Sequence, residues 1–168
     1  WVAVDNSGGV NDGTLYVTSM TAYWNGGQHH IYLRTSDDEG NTWSSIKQVD
    51  TTGFSTGQLT ASYGGLGIGK DGKAYIAFLS YDLSVSPYVR YYSVTTNNKG
   101  VTFQRNLIGN ATISGGSDFT KAWSINANPT INGHAILSWV DKRNGDYDIL
   151  VSQTLDGGTS WSAPKRVN

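Results

Sequence analysis

Cysteine is absent from the 168 residues, so no disulfide framework can exist. Charged residues make up only 15 %, the net charge is −1, and no basic run occurs. That balance argues against a nucleic-acid partner held through phosphate contacts. No apolar stretch approaches the length of a membrane-spanning helix, and helical periodicity is missing. Glutamate occurs once, at Glu39. The chain opens at Trp1-Val2-Ala3-Val4-Asp5 with neither an initiator Met nor a signal peptide, and so reads as a mature or excised segment. What is plentiful is Gly, at 21 residues, with six Trp and ten Tyr. Short strands, many turns and aromatic packing fit that composition. The length suits one domain with an adequate core. Lack of cysteine is compatible with the cytosol or with a bacterial secreted protein. Low Lys and Glu content and Asn/Thr/Ser/Gly-rich loops favour an extracellular or cell-surface setting.

One eight-residue pattern appears three times: Ser36-Asp37-Asp38-Glu39-Gly40-Asn41-Thr42-Trp43, Thr96-Asn97-Asn98-Lys99-Gly100-Val101-Thr102-Phe103 and Thr154-Leu155-Asp156-Gly157-Gly158-Thr159-Ser160-Trp161. Its form is hydroxyl, any, Asp or Asn, any, Gly, any, hydroxyl, aromatic. The third positions fall at 38, 98 and 156, steps of 60 and 58 residues. A complex turn at near-fixed period means one supersecondary unit used three times. A short carboxylate or amide can accept hydrogen bonds from N–H groups a few residues ahead and fold the chain back. Gly two residues later takes a positive φ that a side chain resists. The closing aromatic returns a large apolar surface to the structure.

The pattern resembles the Asp-box, or BNR repeat, of the sialidase-like family, where it forms the hairpin between the third and fourth strands of a propeller blade. The resemblance extends past the turns: Trp43-Ser44 leads to Lys47, Val49 and Asp50, and Trp161-Ser162 to Lys165, Val167 and Asn168. The run from Asp141 through Arg143, Asn144, Gly145 and Asp146 to Ile149 is similar to a frequent lead-in. The middle copy departs with Asn98 for Asp and Phe103 for Trp, and Asn can bond the same N–H groups. What the resemblance implies is an all-β fold of three four-stranded antiparallel blades, half of a six-bladed propeller, over essentially the whole chain. The three turns are then structural residues.

Strand-length apolar runs between Gly/Asn/Asp clusters divide the chain into blade one (about 1–52), blade two (about 57–110) and blade three (about 119–168). Blade one uses Trp1–Asp5, Thr14–Tyr23, His30–Thr35 and the stretch from Trp43 to Val49. Blade two uses Thr60–Ile68, Lys73–Ser80, Tyr88–Thr95 and Thr102–Ile108. Blade three uses Lys121–Ala127, His134–Val140, Asp148–Gln153 and Ser160–Val167. The second strands of blades two and three are nearly unbroken apolar runs, which predicts burial on both faces. Gly65, Gly67 and Gly69 alternate with apolar residues, as expected where blades converge. Three blades do not close a ring of the usual four to eight. The outer faces of blades one and three are then exposed and favour association. Either the remaining blades of a longer parent or a second copy completes the ring.

The resemblance places ligands on the face opposite the turns. The loops there include Trp24 to His29, Tyr81 and Asp82 through Pro87, and Asp141, Arg143 and Asp146. Trp24, Tyr81 and Arg143 are candidates for a sugar-binding rim, aromatics stacking on pyranose faces and Arg pairing with a carboxylate. The structural alternative has Trp24 and Tyr81 capping blade packing while Arg143 pairs locally with Asp141 or Asp146. His30, Arg90 and Asp148 share one position, six residues before each turn. Asp141, Asn144, Asp146 and Asp148 offer oxygens at a spacing that suits Ca²⁺, but an Asn-Gly hairpin accounts for the same residues, and no cofactor is required. The histidines lack a metal-ligand pattern. Gly64 to Lys70 is not a phosphate loop, because Asp71 follows where Ser or Thr is needed. Asn110-Ala111-Thr112 is a glycosylation sequon by letter only.

For catalysis the sialidase-like resemblance implies three arginines on a substrate carboxylate, a Tyr nucleophile assisted by Glu, and an Asp acid/base. The lone Glu39 lies inside the first turn, on the wrong face. Arg34 enters that turn, and Arg105 and Arg166 sit on outer strands. No complete set can be assembled, so no catalytic residue is assigned. The expectation is an extracellular module for glycan or protein recognition, non-catalytic on its own. The alternatives are a fragment of an exo-sialidase-like glycoside hydrolase and a structural surface-assembly protein.

Overall fold

The three octapeptides fold into turns held by corresponding hydrogen bonds. In the computed structural model Asp38 Oδ1 accepts from Thr42 N at 2.8 Å and Asp38 Oδ2 from Thr42 Oγ1 at 2.6 Å, while Ser36 Oγ accepts from Gly40 N at 2.9 Å. The third turn repeats this through Asp156, Ser160, Thr154 and Gly158. In the second, Asn98 Oδ1 still accepts from Thr102 N at 3.0 Å, but Asn98 Nδ2 now donates to Thr102 Oγ1 at 2.8 Å. The amide therefore keeps the turn by reversing one hydrogen bond, which a rotatable hydroxyl permits. Positions four and five are both left-handed: Glu39 has φ 59° and Gly40 φ 90°, Lys99 57° and Gly100 75°, Gly157 75° and Gly158 85°.

The structure describes residues 1–20, 30–50, 58–60, 65–82, 89–112 and 123–168, with side chains omitted at 58–60 and 81–82. Among these there is no helix, and none long and apolar enough to cross a membrane. Blade one holds β1 (Val2–Val4), β2 (Leu15–Met20), β3 (Ile31–Ser36) and β4 (Lys47–Gln48). Blade two holds β5 (Gln58–Thr60), β6 (Gly65–Ile68), β7 (Ala74–Asp82), β8 (Val89–Thr96) and β9 (Gln104–Asn110). Blade three holds β10 (Trp123–Ala127), β11 (Ala135–Asp141), β12 (Asp148–Thr154) and β13 (Lys165–Arg166). Each blade is an antiparallel meander in chain order.

Two strand expectations need correction. The inner strand of blade two is split: β5 pairs with Ser80–Asp82 and β6 with Ala74–Ala77, so four residues lie between the two pairings where β7 has two. The outer strands of blades one and three are two residues long rather than seven or eight. In blade three Pro164 has no N–H to give, and pairing persists only as separate bonds from Ser162 N to Gln153 O and Val167 N to Ile149 O.

The blades stack face to face. Tyr16, Ile31 and Leu33 of blade one pack on Ile76, Phe78 and Tyr92 of blade two. Tyr75, Leu79 and Tyr91 of blade two pack on Ile125, Leu137 and Trp139 of blade three. Strand β7 is consequently buried on both faces from Ala74 to Ser80. Strand β11 is equally apolar in sequence but alternates, with Leu137 and Trp139 at 0 % exposure and Ile136 at 39 %. Here the expectation of two-sided burial fails, because no described residue covers that outward face. The glycines of β6 are required where inner strands converge: a Cβ on Gly67 would lie 2.9 Å from the backbone nitrogen of Ala127.

Candidate functional site

Antiparallel order puts the three octapeptide turns at one end of the blades and the β2–β3, β7–β8 and β11–β12 connections at the other. Trp24 and His29 lie outside the described residues. So do the side chains of Tyr81 and Asp82, whose backbone ends β7. Of the sequence candidates, the loop-end geometry is therefore built on Asp141, Arg143 and Asp146.

Asp141 ends β11, fully buried. Its Oδ1 accepts from Arg143 N and Nε, both at 2.8 Å. Its Oδ2 accepts from Arg143 Nη2 at 2.8 Å, Thr112 N at 3.1 Å and Trp139 Nε1 at 3.2 Å. Burial by itself pushes this carboxyl up. The Arg143 guanidinium and the backbone N–H groups of Arg143 and Thr112 outweigh it, holding the group below the usual carboxylate range. Arg143 is held charged by the same pair. Its Nη2 also donates to Asn110 O, tying blade three to the end of β9. The Arg143 fork is thus largely committed to Asp141, and Asp146 is exposed beyond it.

Asp148, cross-strand from Asp141, receives Arg166 Nε at 3.0 Å and Asn144 Nδ2 at 2.6 Å. Gly145 turns the hairpin at φ 103°, with its N–H on Lys142 O at 3.0 Å. The oxygens offered for a cation at 141 and 148 are thus turned to N–H donors. Among the described residues no group of three His, Asp or Glu side chains is placed to hold a metal.

The position six residues before each turn lies at this end in all three blades. In blade one, His30 Nδ1 is 3.2 Å from Asp50 Oδ2, and Gln48 Nε2 is 2.7 Å from the same ring nitrogen. In blade two the position is Arg90, cross-strand from Ser80. Arg90 Nε and Ser80 Oγ are both buried without a hydrogen-bond partner. Gln48 and Ser80 were not singled out from sequence, and Asp50 only as part of the run that follows the first turn. Asp50 follows the first closing aromatic by seven residues, as Asn110 and Asn168 follow theirs, and that spacing was the available signal.

A second threefold repeat also escaped the sequence reading. Asp12-Gly13, Asp71-Gly72 and Asn132-Gly133 each stand just before a second strand, 59 and 61 residues apart. The three glycines have φ 82°, 67° and 72°. These hairpins share the octapeptide end of the blades, and Thr14 Oγ1 donates to Asp37 Oδ1 of the first turn at 2.7 Å.

Three solved structures share this arrangement of blades. A Hadza microbial sialidase aligns at TM-score 0.59 and 18 % identity, over 89 % of this chain and 30 % of its own. The Penicillium chrysogenum α-L-arabinanase solved with arabinobiose aligns at TM-score 0.60 and 18 % identity, over 93 % and 46 %. The leech intramolecular trans-sialidase solved with 2,7-anhydro-Neu5Ac aligns at TM-score 0.54 and 18 % identity, over 84 % and 19 %. No protein-family profile matches the chain, and no curated protein does. The likeness establishes a sialidase-like β-propeller fold, of which this chain spans less than half the length of each of these structures.

Proposed function

We propose that this chain is an extracellular recognition module that binds an acidic glycan, or a protein bearing comparable acidic groups, through the loop end of its blades. Arg90 carries the reading. A buried guanidinium N–H and a buried hydroxyl, Ser80 Oγ, face no acceptor. Buried donors left unpaired are costly, so they mark a place where an acceptor such as a carboxylate is gained. Both sit at the end of the blades where the related propellers are expected to hold ligand. Composition supports the extracellular setting, through loops rich in Asn, Thr, Ser and Gly.

The module does not turn over glycans by itself. Its lone carboxylate of the Glu type, Glu39, is exposed in the first turn, at the end opposite Asp141 and Arg143. A glycan array probed with the 168-residue chain tests the reading, with Arg90→Met as control. Binding to carboxylated glycans that the variant loses is the expected result. Equal binding by the variant removes Arg90 from the site, and turnover of a fluorogenic sialoside refutes a non-catalytic role.

The second reading, a piece of an exo-sialidase-like hydrolase, is favoured by coverage of only 30 % of the microbial sialidase and 19 % of the trans-sialidase. In that case the remaining blades supply the missing Glu and arginines, and activity appears only when they are joined to this segment.

A further inference from the structure

The two crevices between blades are built from the same strand ends, and at the loop end they are finished differently. Along β7, Ile76 and Phe78 pack against blade one, and Ser80, two residues further, shares that face. Along β8, Tyr92 packs on the same side, and Arg90 stands two residues before it, cross-strand from Ser80. In blade three, Leu137 and Trp139 pack against blade two, and Asp141 follows two residues on, cross-strand from Asp148. Arg90 and Asp148 each stand six residues before an octapeptide turn, so Ser80 and Asp141 occupy corresponding places.

In the crevice between blades two and three, a carboxylate takes that place. Asp141 is fully buried there, and both its oxygens accept hydrogen bonds, among them those of the Arg143 guanidinium and the Trp139 indole. In the crevice between blades one and two, the place holds only a hydroxyl. Ser80 is 1 % exposed, its Oγ has no partner, and the cross-strand Arg90 Nε is buried without one too. The other blades settle the position of Arg90 internally: His30 Nδ1 lies 3.2 Å from Asp50 Oδ2, and Asp148 Oδ1 lies 3.0 Å from Arg166 Nε. On β9 the cross-strand neighbour of Arg90 is Asn110, which carries no charge. A cation and a hydroxyl donor thus face the place that a carboxylate takes one crevice further on. Blades one and two wall this crevice from both sides, so it is no outer edge of the chain.

We propose that Ser80 sets specificity at this crevice: its small side chain leaves to a ligand's carboxylate the place that Asp141 takes in the next one. This rests on Arg90 binding an acidic group, and it adds the class of that group and the residue that admits it. A carboxylate suits the place because its two oxygens can accept separately, one from Arg90 Nε and one from Ser80 Oγ. Arg90 is only half-buried, so the rest of the ligand extends from the crevice toward solvent. Left unpaired, the two donors cost the unliganded chain stability, which a bound carboxylate recovers. A carboxylate built into position 80 takes the same donors. Stability and binding are therefore opposed at this one residue.

Thermal unfolding of the 168-residue chain in glucuronate, with glucose at equal concentration and ionic strength as the neutral counterpart, tests this. The parent melts higher in glucuronate than in glucose, because a ligand bound only by the folded state stabilises it. Ser80→Asp melts above the parent without ligand, since Arg90 then has an internal counter-ion, and it loses the glucuronate response. Ser80→Ala keeps the place open and retains the response, with affinity lower by about tenfold or less for one lost neutral hydrogen bond. Arg90→Met abolishes the response. A parent that does not respond, or an Arg90→Met chain that responds undiminished, removes the acidic-ligand reading itself. A response that needs Arg90 yet survives Ser80→Asp overturns the role of Ser80 alone. A Ser80→Asp chain less stable than the parent overturns that role as well, because the place then does not suit a carboxylate.

Discussion

Replacing Asp141 by Asn changes one atom at the most densely bonded side chain of the loop end, and the consequence can be worked through. In the parent, five N–H groups converge on two oxygens, from Arg143, Thr112 and Trp139. Asn offers one oxygen and turns an NH₂ toward donors. If Oδ1 keeps the Arg143 backbone and Nε, the indole of Trp139 and the amide of Thr112 face another donor. Breaking a buried ion pair by neutralising one partner costs about 3–5 kcal/mol when both are desolvated. Arg143 is 35 % exposed and can recruit water, so the lower part of that range applies, about 3 kcal/mol. For a chain of this size about 1 kcal/mol moves Tm by roughly 2–4 °C, which puts Asp141→Asn about 6–12 °C below the parent. Thermal unfolding followed by near-ultraviolet circular dichroism reads both the shift and the environment of Trp139. Arg143→Lys retains the charge but loses the planar fork, and about half of that loss is expected. The Asp141→Asn variant unfolding within 1 °C of the parent would refute the claim that this carboxylate organises the junction of blades two and three.

Further outcomes follow from the turns and junctions. Asp156 is held down to about 2, first by the Ser160 hydroxyl, then by the Ser160 N–H and the Thr154 hydroxyl. Its contribution to stability is complete above the unfolded carboxylate value near 3.9 and fades as pH falls toward 2. Asp156→Asn should therefore flatten the loss of Tm between pH 4 and pH 2, and an unchanged acid slope sinks that assignment. Glu39 sits at φ 59° without need of its side chain inside its own blade, so Glu39→Gly relieves left-handed strain and gains up to about 1 kcal/mol in urea unfolding. A net loss would show that the strain is not there. Trp161→Phe keeps the aromatic body, as Phe103 does, but leaves the buried Ser93 hydroxyl unpaired, at about 1–2 kcal/mol. Ser93→Ala in the same background should recover part of it, and no recovery would place the loss elsewhere.

Much of the fold was legible because its turns need particular atoms. A hydroxyl, a carboxylate or amide, and a glycine at set spacing name a hairpin wherever they fall, and three of them named three blades. The Asn98 copy illustrates why the pattern tolerates variation: Thr102 can donate or accept. The strand runs of β7 and β11 were legible too, as nearly continuous apolar letters. The outer strands were not: blade one, without a proline, is cut to the same length as blade three and keeps the equivalent separate bonds from Ser44 N to Thr35 O and Val49 N to Ile31 O. The site was less legible than the fold. Sequence offered Arg143 both as a sugar-rim group and as a local partner of Asp141 or Asp146, and only the structure shows the Asp141 pair with Thr112 and Asn110 closing around it. Arg90 carried its position from the repeat, but nothing local says that its Nε is buried opposite Ser80.

The sequence by itself thus determined the period, the turns and the antiparallel blades, since each rests on backbone geometry within a few tens of residues. Tertiary structure alone decided what covers each face. Strands β7 and β11 have the same apolar character, yet one is buried twice and the other once, because alternation sorts side chains onto two faces without saying what lies against them. The bonds that join blades, from Lys47 to Lys99 O across 52 residues and from Lys73 to Gly157 O across 84, exist only once the blades have stacked.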